Sequence, residues 1–177
     1  GFGGYPTFAP IIAAFISRNI IVLHEQNAVL GRANRWLSGI AHIIATSFEL
    51  TEKLNDIHSK TVTVGNPVRK EMKKARLSVY PIIKADTKIN ILVIGGSAGA
   101  KILSDTVPKA FLLLPTSLRK NLRITQQCRK EDLSRVVAIY EAAKQKSDIK
   151  IFFDDISERI RNSHLVISRS GASTIAE

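Results

Sequence analysis

Two hydrophobic spacings alternate along the chain. Short apolar runs bounded by turn residues are typical of buried strands, and apolar positions every three or four residues are typical of helices packed on one face. Before residue 66 the pattern predicts strands at Ile20–Leu23, His42–Ala45 and Thr61–Val64. It predicts helices at Phe8–Ser17, Gly31–Ser38 and Glu49–Leu54.

The same alternation returns in the second half. Strands are predicted at Ile91–Ile94, Arg123–Thr125, Ile149–Phe153 and Leu165–Ser168, and helices at Lys101–Leu114, Asp132–Lys146 and from Ala172 onward. Between the halves, after Gly65–Arg69, lies a poorly periodic stretch up to Lys88 that is rich in Lys and Arg and contains Pro81. Strands interleaved with helices predict parallel sheets covered on both faces. We therefore predict two doubly wound α/β units joined in this stretch.

Four polar or glycine-rich motifs directly follow predicted strands: His24–Asn27, Gly65–Arg69, Gly95–Ala100 and Ser168–Thr174. In open parallel sheets ligands bind beyond the carboxyl ends of the strands, so all four motifs fall on the functional edge. Glycines let the backbone approach an anion, and a following helix presents free N–H groups to it. A single glycine turn also occurs for packing alone, but two such turns favour a phosphate or nucleotide site.

Composition predicts a globular protein with a packed core. The chain has 177 residues, 45% of them apolar, and no unbroken apolar run near the 18 residues that a membrane-spanning helix requires. Its single cysteine, Cys128, excludes an intrachain disulfide and fits a reducing cytoplasm. The histidines lack metal-ligand spacing; they are His24, His42, His58 and His164.

The net charge of +11 is shared evenly between the halves, with 12 basic and 6 acidic residues through Asn90 and 14 and 9 after it. An even spread argues against a nucleic-acid-binding arm and leaves two interpretations open. One is attraction to an anionic membrane face or anionic substrates. The other is solubility alone.

The chain begins at Gly1 without an initiator Met and stops at Glu177, where a helical pattern has just started. A domain rarely ends within the first turns of a helix, because backbone groups would be left unpaired. We expect an internal piece of a larger protein that is inactive by itself.

Five motifs, in this order and spacing, closely resemble the MurG family. They are Gly1-Phe2-Gly3-Gly4-Tyr5-Pro6, His24-Glu25-Gln26-Asn27, Gly65-Asn66-Pro67-Val68-Arg69, Gly95-Gly96-Ser97-x-Gly99-Ala100 and Ser168-Arg169-Ser170-Gly171-Ala172. The family comprises the UDP-N-acetylglucosamine transferases that convert lipid I to lipid II in bacterial peptidoglycan synthesis. The resemblance implies an α/β fold of the GT-B type, with two Rossmann-like domains facing each other over a cleft. It implies an acceptor and membrane-facing domain at 1–66, a linker region at 67–88 and a donor-binding domain at 89–177, each domain incomplete.

The implied reaction transfers N-acetylglucosamine with inversion from UDP-N-acetylglucosamine to the C4 hydroxyl of the muramyl sugar of lipid I. It implies no metal, no cofactor and no nucleic acid, and a peripheral location on the cytoplasmic face of the inner membrane. The alternatives are another UDP-sugar-using GT-B enzyme, an epimerase, or an inactive truncated remnant. A nucleotide or nucleic-acid binder that uses charge alone would lose affinity steeply with salt.

The resemblance also implies roles for single residues. Asn27 contacts the donor from the acceptor-domain side, and Arg69 and Ser97 meet the donor nucleotide. The backbone of Phe153, where the family usually has Ile, reads the uracil, and Glu177 accepts hydrogen bonds from two ribose hydroxyls. The loop and helix start that cradle the phosphates and ribose are Ala172, Ser173, Thr174, Ile175, Ala176 and Glu177.

Three positions carry open questions. His24 or Glu25 could accept the acceptor's proton, although consecutive residues of a strand point to opposite sides and the family's usual proposed base lies outside this chain. The apolar segment Phe8–Phe15 with Arg18 could anchor to a membrane or pack in the core, and we expect one face for each. Gln126-Gln127-Cys128-Arg129 replaces the family's His-Gln-Ser/Thr-Gly, which could alter a loop near the donor.

Overall fold

The chain folds as two α/β units. A computed structural model describes residues 1–54, 60–75, 77–84, 87–96 and 99–177. Backbone contacts divide it into a first unit, 1–68, and a second unit, 69–175, which also contains Glu177.

The first unit is built on a three-stranded parallel sheet in the order β1-β2-β3. Its elements are α1 Phe8–Ile16, β1 Val22–Glu25, α2 Arg32–Leu37, β2 Ile43–Thr46 and β3 Thr61–Thr63. The strands are in register with Val22 opposite Ile43 and Ile44 opposite Thr61. The core lies between the sheet and its helices and contains Ile11, Ile21, Leu23, Leu30, Leu37, Ala41, Ile44 and Leu54.

The second unit is built on a four-stranded parallel sheet in the order β6-β5-β4-β7. Its strands are β4 Ile89–Ile94, β5 Leu122–Gln127, β6 Ser147–Lys150 and β7 Leu165–Ser168. Its helices are α3 Lys70–Ala75, α4 Lys101–Leu112, α5 Thr116–Arg119, α6 Leu133–Ala142, α7 Ile156–Arg161 and α8 Ala172–Ala176. One core cluster contains Phe111, Ile124, Cys128, Val136 and Tyr140.

The predicted parallel α/β architecture is confirmed by both sheets. Two helices end where a basic residue just beyond them adopts the left-handed conformation. The apolar spacing of the sequence does not reveal these ends. Arg18 has φ 54° after α1, and the next residue, Asn19, donates its N–H to the Ala14 carbonyl at 2.9 Å. Lys144 has φ 52° after α6, so the helix stops at Ala142 rather than at Lys146 as predicted.

Two predicted elements were wrong. The segment Glu49–Leu54 is not a helix, because Glu52 pairs with Val29 in an isolated parallel bridge. The strand predicted at Ile149–Phe153 ends at Lys150, and Phe153 lies instead in the loop before α7. There its ring is buried, with the Arg159 guanidinium 4.1 Å from the ring centroid. In the second case, the apolar character of Phe153 predicts a strand because it indicates burial, but the residue is buried in a loop.

The junction stretch contains structure that the sequence pattern did not predict. Helix α3 forms within it, packs against α7 and buries Met72. Helices α3, α5 and α7 have six, four and six residues. They are too short to show a helical period in the sequence.

Candidate functional site

The two glycine-rich turns of the second unit lie side by side. Strands β4 and β7 are adjacent and parallel, with Ile94 opposite Ser168, so the turns that follow them leave the same edge of the sheet. Two cavities open at this edge, of about 380 Å³ and about 350 Å³. Both are lined by Gly96, Ser173 and Thr174, so they adjoin.

The first turn depends on glycine for packing and for conformation. A Cβ on Gly95 would lie 2.3 Å from the Ala100 nitrogen, which no side chain could tolerate. Gly96 has φ 87°, in the left-handed region, and faces open space. Ser97, predicted to meet the nucleotide, lies outside the described residues, so its role stays a prediction.

The larger cavity combines an apolar wall with polar groups. Its apolar lining is Ile94, Phe152, Phe153, Ile156 and Ile160. Its polar side chains are Arg69, Gln127, Ser173, Thr174 and Glu177. A mostly apolar cleft with a few convergent polar groups is the usual form of a small-molecule site. Such a cavity can hold a flat heterocycle against its apolar wall and a polar remainder against Arg69 and Glu177.

Arg69 and Glu177 form a bidentate ion pair at this cavity. The Arg69 Nε donates to Oε1 at 2.7 Å and one terminal nitrogen donates to Oε2 at 2.8 Å. Hydrogen bonding to Glu177 raises the pKa of Arg69 above its ordinary value. The Arg69 side chain is 55% exposed and that of Glu177 is 15% exposed. The structure thus brings these two predicted residues together, and their roles toward phosphate and ribose stay predictions.

The other residues predicted at the C-terminal end form α8, which runs from Ala172 to Ala176. Ser173 and Thr174 line both cavities, whereas Ile175 is exposed. Phe153 lines the larger cavity, and its role toward uracil stays a prediction.

Sequence reasoning missed two residues of this edge, Arg169 and Gln127. Arg169 lines the smaller cavity together with Gly99, Ser170 and Gly171 and places a cation among the turns. Its signal was its position directly after β7. Gln127 lines the larger cavity at the end of β5 and donates from Nε2 to the Ile151 carbonyl at 3.1 Å.

The departure at Gln126–Arg129 has a structural explanation. Gln126 is fully buried, and its Oε1 accepts a hydrogen bond of 2.8 Å from the Tyr140 hydroxyl. Arg129 pairs with Asp132 at 2.8 Å and with Glu131 at 3.0 Å. The side chains of Gln126 and Arg129 are therefore held by other protein groups, and neither residue lines the two cavities.

In the first unit, hydrogen bonds connect the loops at the carboxyl edge of the sheet. His24 Nε2 lies 3.0 Å from the Gly65 carbonyl oxygen, so this nitrogen carries the proton. Asn66 donates from Nδ2 to the Gln26 carbonyl at 3.2 Å and accepts from the Ser47 hydroxyl at 2.8 Å. The motifs around His24 and Gly65 are thus brought together, as their positions at the carboxyl ends of the first and third strands predict.

The Glu25 carboxylate accepts four hydrogen bonds within this edge. Its Oε1 accepts from the Asn27 backbone N–H at 3.0 Å and from Asn27 Nδ2 at 2.9 Å. Its Oε2 accepts from the Gly31 N–H and from Asn34 Nδ2, both at 2.8 Å. Burial by itself raises the pKa of Glu25, but these hydrogen bonds outweigh it and bring the pKa below its ordinary value.

His24 differs from Glu25 in one respect. Its side chain is also buried, beside the Phe2 ring, at 5.4 Å between ring centroids. Its Nδ1 has no hydrogen-bond partner among the described residues. The two predicted proton acceptors therefore have different surroundings: the Glu25 carboxylate accepts four hydrogen bonds, whereas one ring nitrogen of His24 has no partner among the described residues.

Helix α1 has a buried and an exposed face. Ile11 is in the core, with Phe8 and Ala14 packed against it, whereas Phe15 is 52% and Ile16 75% exposed. No helix in the described ranges is long and apolar enough to cross a membrane. No group of three His, Cys, Asp or Glu side chains there is arranged to hold a metal ion.

The comparisons with known proteins agree on one family. Residues 90–177 match the glycosyltransferase family 28 C-terminal domain, and residues 1–46 match the family 28 N-terminal domain. Two relatives bear the name UDP-N-acetylglucosamine–N-acetylmuramyl-(pentapeptide) pyrophosphoryl-undecaprenol N-acetylglucosamine transferase. The one from Zymomonas mobilis is 47% identical over 178 residues and the one from Granulibacter bethesdensis is 46% identical over 179 residues. Each alignment covers 100% of this chain and 46% of the relative, so the chain spans about half the length of these relatives.

A solved structure gives the same result. The crystal structure of MurG from Acinetobacter baumannii superposes with a TM-score of 0.67 at 30% sequence identity. The match covers 99% of this chain and 47% of that one.

Proposed function

Because this chain belongs to the MurG family of glycosyltransferases and has its GT-B fold, we propose that its second unit binds UDP-N-acetylglucosamine as a sugar donor. We propose further that the full-length protein transfers N-acetylglucosamine to the C4 hydroxyl of the muramyl sugar of lipid I. Residues 1–66 then belong to the acceptor domain, 67–88 to the connection and 89–177 to the donor domain. The proposed activity is the one stated in the names of the two relatives.

The observation that carries the proposal is the larger cavity with its Arg69–Glu177 pair. UDP offers a flat base, a ribose with two hydroxyls and a diphosphate, and the cavity offers an apolar wall, a carboxylate and a guanidinium. In this arrangement the base lies near the Phe153 backbone, Glu177 accepts the ribose hydroxyls, and Arg69 binds the diphosphate. A carboxylate has about four lone-pair sites, so Glu177 can serve the ribose while still holding Arg69.

The first residues of the two turns complete the phosphate site. Glycines at Gly95 and Gly96 keep side chains away from the backbone N–H groups, and Ser173 and Thr174 add hydroxyl groups at the cavity. By the family resemblance alone, Ser97 also meets the nucleotide. Negative charge grows on UDP as the bond from the anomeric carbon to the phosphate oxygen breaks. Fixed N–H groups and Arg69 stabilise that charge without reorganising during the reaction.

The first unit supplies the acceptor side. Asn27 contacts the donor sugar from there, and the edge around His24 and Glu25 shapes the acceptor pocket. Attack by the C4 hydroxyl on the face opposite to UDP inverts the anomeric configuration.

Location follows from the acceptor, which is a membrane lipid. We assign peripheral attachment at the cytoplasmic face of the inner membrane to the exposed face of α1, where Phe15 and Ile16 are exposed and the exposed Arg18 follows closely in the chain. Apolar insertion and attraction to anionic lipid headgroups would act together there.

The test is a transfer assay with the full-length protein that carries this sequence. The protein is incubated with UDP-N-acetylglucosamine labelled in the sugar and a lipid I analogue, and the lipid product is isolated and its new glycosidic bond analysed by NMR. The proposal predicts a β-linked disaccharide on the lipid and release of UDP. Transfer from UDP-N-acetylgalactosamine at an equal rate, or UDP release without a lipid product, would overturn it.

A further inference from the structure

The Glu25 carboxylate has no hydrogen-bonding capacity left for a substrate. It is 3% exposed at the end of β1 and accepts four N–H groups, two on each oxygen, at 2.8 to 3.0 Å. A carboxylate offers about four lone-pair sites. A substrate hydroxyl could approach it only after one of these hydrogen bonds had broken.

The same hydrogen bonds fix the orientation of Asn27. Its backbone N–H and its Nδ2 both point to Glu25 Oε1, and a carboxylate can only accept. If the Asn27 amide turned over, Oδ1 would face a negatively charged oxygen. The amide oxygen is therefore directed away from Glu25, in an exposed loop residue.

The carboxylate also fixes both ends of the loop that carries Asn27. Gly31, which precedes α2, and Asn34 within α2 donate to Oε2. A Cβ on Gly31 would lie 3.3 Å from that oxygen, so the approach is close. Residues 26–30 are thus held between the end of β1 and the start of α2.

We infer that Glu25 is a positioning residue, which presents the Asn27 Oδ1 to a hydroxyl or amide N–H of the sugar substrate, and that it is not the proton acceptor. This inference rests on the proposed function, because it assumes that Asn27 meets the sugar. The lowered pKa of Glu25 agrees with it, since an effective base at neutral pH needs a pKa near neutrality.

The kinetic test compares Glu25→Gln, Asn27→Ala and the double variant in the full-length protein that carries this sequence. If Glu25 acts through Asn27, each single change lowers kcat/KM for the donor roughly tenfold, and the double variant is no worse than Asn27→Ala. The pH–rate profile of Glu25→Gln keeps the shape of the unaltered protein. Multiplying losses, together with disappearance of the acidic limb in Glu25→Gln, would identify Glu25 as the base and overturn the inference. Glu52→Gln, the same change at an exposed carboxylate of this unit, is the matched control.

Exchanging donor and acceptor gives a readout that a merely structural role would not move. Asn27→Asp places two carboxylates against each other, whereas in Glu25→Gln with Asn27→Asp the new amide donates to the new carboxylate and leaves an oxygen directed outward. Because the backbone N–H of residue 27 loses its acceptor in the exchange, we expect kcat/KM of this double variant to exceed that of Asn27→Asp only a few-fold. A double variant no faster than Asn27→Asp contradicts the inference.

A final measurement separates this inference from the proposed function and does not depend on any variant folding. In the unaltered chain, the Asn27 side-chain amide signal is followed by NMR as the pH falls. It should shift with protonation of Glu25 at a pH below the ordinary range for Glu. An Asn27 amide chemical shift that does not change when Glu25 is protonated overturns the inference. Absence of transfer activity in the unaltered protein overturns the proposed function and leaves this titration valid.

Discussion

Arg69, which we propose to bind the diphosphate, is held in place by an ion pair with Glu177 that a ligand can weaken at little cost. Its bidentate pair with Glu177 has good geometry, yet more than half of the Arg69 side chain is in contact with water. Exposed ion pairs contribute only about 0 to 1 kcal/mol, because solvent screens them. A diphosphate that competes for the guanidinium therefore loses little by weakening the pair.

We predict that Arg69→Ala weakens UDP binding by roughly ten- to a hundredfold, the range expected for one or two charge-assisted hydrogen bonds. Arg161→Ala removes another exposed guanidinium of the same unit, one that lines none of the cavities described above, and should leave affinity unchanged. Fluorescence competition against a UDP probe measures both. Equal losses in the two variants would show that only overall charge matters.

At the residue scale the sequence indicates candidate site residues but not their partners. The family resemblance makes Arg69 and Glu177 candidates, but 108 positions separate them and nothing local indicates that they pair. Glu25 was predicted as a possible base because a carboxylate beside a histidine suggests proton transfer. Its four donors come from a loop and a helix whose approach only the fold determines.

At the scale of elements, most strands and the longer helices were predictable, whereas the short helices α3, α5 and α7 were not. Strand β7 was predicted at its observed limits, and α4 began at Lys101 as predicted and ended two residues early. Phe152 and Phe153 look like strand residues because they are apolar, yet they line the cavity from a loop. Apolar spacing records burial, and burial in a loop or a site is indistinguishable from burial in a strand.

The first glycine turn gives a prediction at this scale. Gly95→Ala should cost about 1 to 3 kcal/mol of unfolding free energy, because the new methyl would overlap the Ala100 backbone nitrogen. UDP affinity should fall with it. Gly39→Ala, where a Cβ meets nothing within 4 Å, should change stability by no more than about 0.5 kcal/mol. Urea denaturation of both variants decides; equal stabilities would contradict the close packing of the turn.

An ionic network connects α4 to α6 and makes the second unit sensitive to acid. Asp132 pairs with Arg129 and Arg135, and Arg135 also pairs with Asp105 of α4. Hydrogen bonds from Arg129 and then Arg135 lower the pKa of Asp132 to about 2, against 3.8 ordinarily. A carboxyl with a lowered folded-state pKa stabilises the fold above its unfolded pKa, and this contribution is lost as the pH falls from about 4 to about 2.

Asp132→Asn should therefore lower the melting temperature at pH 7, and the gap to the unaltered chain should close as the pH falls from 4 to 2. Asp154→Asn is the control, because Asp154 is exposed and makes no ion pair in the described part of the chain. Melting curves by circular dichroism across this range test it. A gap that persists at pH 2 would mean that ionisation of Asp132 is not the cause.

For the whole molecule, we propose that the positive charge and the exposed face of α1 act on the same partner, an anionic membrane surface. The net charge of +11 attracts anionic surfaces at a distance, and Phe15 and Ile16 offer apolar area on contact. The net charge alone indicates the electrostatic attraction. The division of α1 into a core face and an exposed face needed the structure, because the helix is apolar almost all round.

We predict that the chain binds vesicles containing phosphatidylglycerol and that binding weakens with salt. Replacing both Phe15 and Ile16 with Ser should reduce it at least roughly tenfold, since each loses most of its apolar transfer energy. Ile102→Ser is a control at an exposed apolar residue of the second unit. Co-sedimentation measures all three, and unchanged binding of the Phe15 and Ile16 variant would remove α1 from the membrane contact.

Binding of a uridine diphosphate sugar by the second unit can be measured by calorimetric titration of the chain, shown to be folded, with UDP, UDP-N-acetylglucosamine, UDP-N-acetylgalactosamine and ADP at two salt concentrations. We expect saturable binding of the uridine nucleotides, little binding of ADP, and loss of binding in Arg69→Ala. Equal affinity for ADP and UDP that falls steeply with salt would show binding by charge alone and rule out a uridine-specific site.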